Sequence, residues 1–551
     1  MRGVTAGFLE ELYQGSVQKN RIDTAGGRVD EKRVSSFMEQ YKEIIKPFDP
    51  AKLEETGTLP QELLGELKEL GIFGLTIAQE YGGLGFTLSE YLRVVEEIAR
   101  SDMALVLVPL AHLSIGVKGI MLFGNQEQKK KYLPPAASGE MIFSYALTEP
   151  KIGSDAKNIE TTARLNEEGT HYVLNGSKSY ITNGNYAGGM TVFAQLDPER
   201  EAGRLGAFIV ERGFEGLSVG KDMPKMGLKV SSTTPIRFKD VRVPVENMIG
   251  EPGDGFKIAM NILNYGRLGL GAASAGLMNQ SLRDMTKRTE SRRQFGVPIR
   301  EFQLIQEKMV KAKAHAFAAR NMTFFTAALL EEDPLMNVAI ESSHCKLYGT
   351  TRCWDTLYDA LQAAGGAGYI STLPYEKRMR DFRVTTIFEG TTEIHSIYPP
   401  LTLFRAEGKK LSTLTSPLAK LSRLYKVSRP AGLGRATLGE ALLDRAIRTA
   451  GRSEAIFKRL LARGMWKFGK KVVGQEFFLR RMTETSLTLF QLVASVAMVR
   501  KEYGAEIPES ERALLEYLIE EARLVQKRAS GKLERSIERV HTQVMKSIAG
   551  A

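Results

Sequence analysis

The stretch from Met141 to Asp254 reads as β structure inside a chain that reads as helix everywhere else. THYVLNGSKSYITNG and RLGAFIVERGFEGLSVG are short β-branched and aromatic runs punctuated by Asn-Gly and Gly. Upstream, LPQELLGELKELGIFGL sets Leu59, Leu63, Leu64, Leu67 and Leu70 near helical spacing. EYGGLGF then breaks the chain at Gly82, Gly83 and Gly85, and a second helix opens in TLSEYLRVVEEIAR. Helical spacing resumes at GFKIAMNILNYGRLGLGAASAGL and continues to about His395. The expected fold is mainly α with a central small antiparallel β domain. Its expected divisions are an N-terminal helical domain over 30–140, the β domain over 141–254, a helical bundle over 255–404 and a helical C-terminal extension over 405–551.

A chain of 551 residues suits three or four domains. At 43% apolar and 25% charged residues it is soluble and globular in type, with room to bury a cofactor. Only Cys345 and Cys353 occur, so no disulfide framework and a reducing, intracellular setting are expected. The N-terminal MRGVTAGFLEELYQG lacks the apolar run of a signal peptide and the Arg/Ser-rich character of a transit peptide. The longest apolar stretch, MALVLVPLAHLSIGVKGIMLFG, is interrupted by Pro109, His112 and Lys118 and reads as a buried core helix, not a membrane span. The net charge of +12 is localised: Arg405 to Lys470 holds sixteen Lys/Arg against Glu407, Glu440, Asp444 and Glu454, an excess equal to the whole. Such a segment points to an anionic surface. Aromatic interleaving is thin there (Tyr425, Phe457, Trp466), which argues against nucleic acid.

Five strings carry chemistry. In RVTTIFEGTTEIHSIYPP, Glu389 follows Ile387-Phe388 and precedes Gly390. A carboxylate pressed on apolar groups has its pKa raised, as a general base for a reluctant proton requires; the bland reading is a half-exposed loop residue. YALTEPKIGSDA offers Thr148, Gly153 and Ser154, small groups able to hydrogen-bond a flat heteroaromatic edge, or an ordinary polar turn. SKSYITNG places Tyr180 and Thr182 two apart on a strand with Ile181 between, either to cover and bond a ring or as a plain cross-strand pair. ESRRQFGVPIREFQLIQ offers Arg292 and Arg293 as pyrophosphate ligands. LQAAGGAGYI offers Gln362, Gly365, Gly366 and Gly368 for close phosphate approach or for helix packing; it is not a Rossmann fingerprint, because no strand leads in.

Taken in order, EYGGLGF, YALTEPKIGSDA, LNGSKSYITNG, RRQFGVPI, QAAGGAGYI and RDFRVTTIFEGTTEI resemble the acyl-CoA dehydrogenase family over about Asp30 to Ile397. GDGFKIAMNILNYGRLGLGAASAGL, FQLIQEKM and the C-terminal extension are similar to its very-long-chain branch. The resemblance implies a helical domain, a β domain and a four-helix bundle with FAD between the last two. It implies FAD contacts from Tyr145, Leu147, Thr148, Gly153, Ser154, Tyr180, Ile181, Thr182, Arg292, Gln294, Phe295, Thr391 and Glu393. Gln362, Gly365 and Gly366 would bind the adenine half of FAD in a neighbouring subunit, so a homodimer at least is implied. Glu389 matches the catalytic base. Ser154, Asn264, Arg267, Phe388 and Gly390 match substrate contacts, and Gly116 and Gly119, three apart on one helix face, match small residues that leave the acyl pocket open. The implied substrate is a long-chain acyl-CoA, the implied electron acceptor an electron-transfer flavoprotein, and no metal is expected.

The string departs from the family at Tyr180, where Trp is common, and at His395-Ser396. Pro399-Pro400 are expected to stop the helix there. GKKLSTLTSPLAKLSRLYK places Leu411, Leu414, Leu418, Leu421 and Tyr425 at helical spacing beside Lys409, Lys410, Lys420, Arg423 and Lys426, with Pro417 splitting the run in two. That is a pattern for an anionic membrane surface, or for a helix packed on a dimer partner. Compartment follows source: cytoplasm or inner-membrane surface in a bacterium, mitochondrion in a eukaryote. Two rival functions are a flavoprotein assembly scaffold and an acyl-CoA oxidase.

Overall fold

The computed structural model describes residues 5–530 apart from 25, 26, 28, 197–202 and 505, together with scattered positions beyond 530; most of the end of the C-terminal extension lies outside the described residues. The N-terminal helical layer centres on Leu88–Ser101, which opens with a reciprocal cap in which Thr87 accepts from the Glu90 amide and the Glu90 carboxylate accepts from Thr87. Its face of Tyr91, Leu92, Val94, Val95 and Ile98 is buried. The apolar stretch that follows is helical over Met103–Ala111, widens into a π-turn over His112–Gly116 and continues as Lys118–Phe123. It is long and apolar enough to cross a membrane, but 83% of its window is buried inside the protein, so it is core.

The β domain has eight strands: β1 (Ile142–Ala146), β2 (Thr162–Leu165), β3 (His171–Thr182), β4 (Ala187–Leu196), β5 (Leu205–Glu211), β6 (Leu217–Val219), β7 (Thr233–Pro244) and β8 (Met248–Gly253). They run in the order β6-β7-β3-β2-β4-β5-β8, with β1 also paired to β4. Most pairs are antiparallel as expected, but β1 and β2 are both parallel to β4. β1 lies along Ala187–Val192 and β2 meets Gln195 and Leu196, so the chain travels along one edge of β4 without reversing direction. Residue patterning carries no record of that. Val192, Phe208, Phe238 and Val241 form a core within the sheet, separate from the apolar core that runs through the helices.

Four long helices, Gly255–Ser291, Gln303–Glu332, Ala339–Ala364 and Thr392–Ser412, follow. The first packs against the second and third and against Leu88–Ser101. A methyl group at Gly276 would stand 2.0 Å from the Glu96 carbonyl, so glycine sets how closely those helices cross. Thr392–Ser412 runs through Pro399 and Pro400 and does not stop there. Both prolines are buried with Leu401, Leu403 and Phe404, and tertiary packing outweighs the lost backbone bonds, each interior proline costing about 3 kcal/mol.

The extension is docked, not free. Ala441–Phe468, Glu476–Tyr503 and Glu509–Ser530 pack on one another, and Glu476–Tyr503 also lies on Gln303–Glu332 and Thr392–Ser412. Pro417 begins a helix, Pro417–Ser428, capped by Ser416, so the split at that proline is real. A further helix precedes the region read as ordered from sequence: Phe8–Gln14 buries Phe8, Leu9, Leu12 and Tyr13, a stripe legible in FLEELY.

Candidate active site

Glu389 sits between a short helical turn, Arg383–Thr386, and the helix Thr392–Ser412, with its backbone at φ +55 and that of Gly390 at φ +100. Left-handed backbone is strained for a glutamate and is kept only where the surroundings impose it. The means are two hydrogen bonds to consecutive carbonyls. His395 Nε2–H donates to the Glu389 carbonyl at 3.0 Å, and Lys346 Nζ donates to the Gly390 carbonyl at 2.5 Å. Because a carbonyl only accepts, the His395 proton is on Nε2, and Nδ1 accepts from the Ser343 hydroxyl at 2.7 Å. Burial keeps His395 far below the ordinary histidine range, so it is a neutral strut and not a second base.

The carboxylate turns into a cavity of about 640 Å³ between the sheet and the bundle, a size suited to a small-molecule site. A methyl group at Gly266 would lie 2.6 Å from either carboxyl oxygen, so only glycine fits on the facing helix. Burial raises Glu389 to about 7, with Arg267 and Lys346 pulling the other way, and Oε2 is buried without a hydrogen-bond partner. Arg267, itself buried, points its guanidinium at the Tyr398 ring 5.9 Å away and bonds Asn264 Oδ1 at 3.4 Å.

The opposite wall is the sheet. Tyr145, Leu147, Thr148, Gly153, Ser154, Tyr180, Ile181 and Thr182 line the cavity together with Arg267, Phe388, Glu389 and Gly390. An extra residue in β3 against β7, between Lys178 and Ile181, makes a bulge that puts Tyr180 at φ +60, where it is 64% exposed and lines the cavity. The hydroxyls of Thr148, Ser154 and Thr182 bond no other protein group among the described residues. A planar heteroaromatic group with polar edges fits this wall. Leu107, Leu110, Ala111 and Ile115, from the helix and its π-turn, supply the apolar end.

An ion pair that escaped sequence reading joins the two strings of that wall. Lys178 donates to Glu149 at 2.7 Å and to the Leu147 carbonyl at 3.1 Å, and Glu149 accepts from the Thr161 amide at 2.9 Å. Both side chains are buried. Burial works to raise Glu149, but Lys178 holds it below the usual range; burial lowers Lys178 to about 8, where it stays charged at neutral pH. Lys178→Met is therefore expected to destabilise by about 3–5 kcal/mol, because it strands a buried carboxylate. Thermal unfolding checks this, and Lys178→Met with Glu149→Gln should recover a large part of the loss.

The remaining sequence candidates lie elsewhere. Arg292 follows the 37-residue helix Gly255–Ser291, 26 residues beyond Gly266, which is roughly 39 Å along the axis. Arg292, Gln294 and Phe295 are exposed there, Phe295 at 93%. Arg293 bonds the Gly296 carbonyl at 2.7 Å. Gln362, Gly365 and Gly366 are at the same end, where Arg288 reaches the Ala364 carbonyl at 3.5 Å. Within one copy the two groups of candidate residues are thus well separated. Asn264 does not line the cavity; it orients Arg267 and accepts from Ser342 at 2.8 Å. Thr391 spends its hydroxyl capping Ile394, and Glu393 is exposed outside the lining. Gly116 and Gly119 do not line the cavity either. Gly116 abuts the Phe143 carbonyl and Gly119 abuts Ile262, so their smallness serves close packing. Lys346, Ser343 and Tyr398 were missed; the available signal was a lysine in the buried run SSHCKLYG with no acid three or four residues away.

A raised carboxylate facing a hydroxyl-lined wall across an apolar cleft suits a protein of the proton-abstracting dehydrogenase class. Family models agree on its members: acyl-CoA dehydrogenase N-terminal domain over residues 32–140, middle domain over 144–241 and C-terminal domain over 253–397. The chain belongs to the acyl-CoA dehydrogenase family. The human mitochondrial very long-chain specific acyl-CoA dehydrogenase is 34% identical, covering 92% of this chain and 80% of the human one. The short-chain specific acyl-CoA dehydrogenase of Clostridium acetobutylicum is 37% identical but covers 66% of this chain and 94% of its own. The crystal structure of a Bacillus anthracis acyl-CoA dehydrogenase complexed with FAD superposes with a TM-score of 0.81 at 30% identity, covering 98% of this chain and 94% of that one.

Proposed function

We propose that the protein is an FAD-dependent acyl-CoA dehydrogenase that converts long or very long acyl-CoA to the trans-2-enoyl-CoA. The observation that carries this reading is Glu389: a buried carboxylate near 7, held in strained backbone at the mouth of an apolar cleft. The carboxylate takes the proton from the carbon beside the thioester carbonyl. Burial raises its pKa, and Arg267 and Lys346 pull it back, so that it titrates near neutral pH. The Glu389 amide has no acceptor among the described residues and is available to the thioester oxygen. Leu107, Leu110, Ile115 and Phe388 exclude water and hold the start of the acyl chain. Thr148, Ser154, Tyr180 and Thr182 are suited to hold the flavin ring, and bound FAD supplies the hydride acceptor. Thr391 and Glu393 keep a cofactor role in this reading only at the rim.

Arg292, Gln294, Phe295, Gln362, Gly365 and Gly366 are assigned to the FAD of a second copy, since they lie further from the cavity than a flavin ring lies from its own pyrophosphate. Exposed Tyr369 and Ile370 follow the same glycines, as a dimer contact would require. An electron-transfer flavoprotein is the proposed acceptor, and the proposed setting is intracellular. Similarity to the human very long-chain protein through the extension supports the long-chain preference. Anaerobic addition of acyl-CoAs of increasing length tests the reading: the bound flavin should bleach, most completely with long chains. No bleaching at any length rejects it, and peroxide release with each turnover in air would make the protein an oxidase.

The extension carries the proposed membrane contact. Leu418, Leu421, Tyr425 and Trp466 are 79, 56, 64 and 75% exposed and face one groove. Exposed Arg463 lines it, and exposed Lys420, Lys426 and Lys467 neighbour its lining residues in the chain, whereas Lys410 and Arg423 are engaged by Glu407. Each cation near an anionic bilayer contributes about 1 kcal/mol. Removing the whole segment is a poor test, because Leu433 is fully buried and its amide, with that of Ala431, bonds Glu454. Leu418→Asp with Leu421→Asp should instead abolish cosedimentation with anionic liposomes and leave turnover of a soluble acyl-CoA intact; unchanged binding would move the contact elsewhere.

A further inference from the structure

We infer that Lys346 is a positioning residue for the base: its ammonium, seated on the Gly390 carbonyl, holds the left-handed Glu389–Gly390 turn and stands as a positive charge behind the carboxylate. This rests on the reading of Glu389 as the base. Lys346 is fully buried on the helix Ala339–Ala364. A buried ammonium is costly unless it is paired. Lys178 shows how this chain pairs one, with a carboxylate at 2.7 Å. Lys346 has no such ion pair among the described residues; its hydrogen bond goes to a neutral carbonyl. Its strongest attraction is to Glu389. Burial lowers Lys346 to about 7 and the facing Glu389 works to keep it charged, so the lysine's charge depends on that carboxylate; a lysine kept only for stability has no reason to stay without an ion pair in this place.

Position and charge act on the same group. The Lys346 bond and the Ser343–His395–Glu389 bond come from residues three apart on one helix, so adjacent carbonyls are fixed from a single rigid face. With both carbonyls fixed, the turn has little freedom to swing the carboxylate away from the cavity. The titratable and charged groups facing the pair are Arg267 from Gly255–Ser291, Tyr145 from β1, Tyr91 from Leu88–Ser101, and His395 and Glu393 from Thr392–Ser412. His395 is neutral, and the tyrosines stay protonated through the working range. The cations that set the ionisation of Glu389 are therefore Arg267 and Lys346.

The test uses flavin-loaded protein and three variants. Lys346→Met removes bond and charge, Lys346→Gln keeps a donor without charge, and Lys346→Arg keeps charge. In Lys346→Met, kcat should fall about 10- to 100-fold with KM nearly unchanged, as a displaced catalytic group does. The acid limb of the kcat/KM profile should move up by about one pH unit, because an opposite charge has been lost. Lys346→Gln should regain part of kcat while its acid limb stays displaced, and Lys346→Arg should return the limb toward the parent. A flavin-loaded Lys346→Met with parental kcat and acid limb overturns the inference. If Lys346→Met loses its flavin, Lys346→Gln decides, and a parental acid limb there overturns it. Loss of flavin in all three makes Lys346 a fold residue and also overturns it. Glu389→Gln separates the two levels: if that variant still turns over, the base reading fails, whereas a dead Glu389→Gln beside a parental Lys346→Met sinks only the role given to lysine.

Discussion

Glu389→Gln is expected to bind flavin as the parent does and to lose turnover by at least ~10²–10⁴-fold, the usual contribution of a positioned base. Glutamine matches glutamate in size, so the tight fit against Gly266 survives. The strained turn also survives, since its two bonds are made to backbone carbonyls. The variant should also be more stable than the parent at high pH. The folded-state pKa of Glu389 is raised, from the ordinary 4.5 to about 7. Below about pH 4.5 folded and unfolded chains are both protonated and the side chain is neutral to stability. Between 4.5 and 7 the unfolded chain releases its proton first, and stability is lost as pH rises, levelling off above 7. The Tm gap between Glu389→Gln and parent should therefore be absent near pH 4.5 and largest at pH 8. A glutamine variant that keeps most of its turnover would mean that another group abstracts the proton.

Mixing two dead chains should restore activity. Glu389→Gln lacks the base but keeps the far half-site, and Arg292→Glu keeps the base but opposes a pyrophosphate. If each FAD lies between a cavity of one chain and the far end of another, a mixed dimer contains one wholly intact site and one doubly damaged site. Random reassortment would then give about a quarter of parental activity, because half the dimers are mixed and each has one of two sites working. Each variant alone should be nearly inactive. Coexpression with different affinity tags, followed by tandem purification of the mixed dimer and assay, reads this directly. A mixed dimer as inactive as its parents would put Arg292 and Glu389 in one site of one chain, against the roughly 39 Å along the helix between Arg292 and Gly266.

Sequence reading brings residues of one cavity together where the signal is local. Glu389 stands out because its neighbours in the chain are apolar and its other side is glycine, and the cavity wall of Thr148, Ser154, Tyr180 and Thr182 is written in two short strings. It failed where a residue's meaning is set by something distant. Lys178 and Glu149 are ordinary charges until the fold buries them together. Gly116 and Gly119 look alike as open pocket floor and as packing spacers, and only Phe143 and Ile262 decide for packing. Pro399 and Pro400 were read by their intrinsic cost, which the surrounding core overrides. Asn264, expected as a substrate contact, faces Ser342 and Arg267 and not the ligand space.

The run Glu341-Ser342-Ser343-His344-Cys345-Lys346 is fully buried, and each side chain meets a different part of the molecule. In order they reach the Leu9 amide, Asn264, His395, Ser486, Thr326 and the Gly390 carbonyl. Three of these contacts, through Asn264, His395 and Gly390, end at the turn of Glu389, the proposed base, or at the buried Arg267, and two more fasten the first helix and the extension. Saturation mutagenesis should therefore find this hexapeptide intolerant at every position, on both faces of the helix, where an ordinary bundle helix tolerates change on one side. Drift at either end of the chain also has to pass through it: the first helix and the extension cannot repack without disturbing neighbours of the residues that hold Glu389.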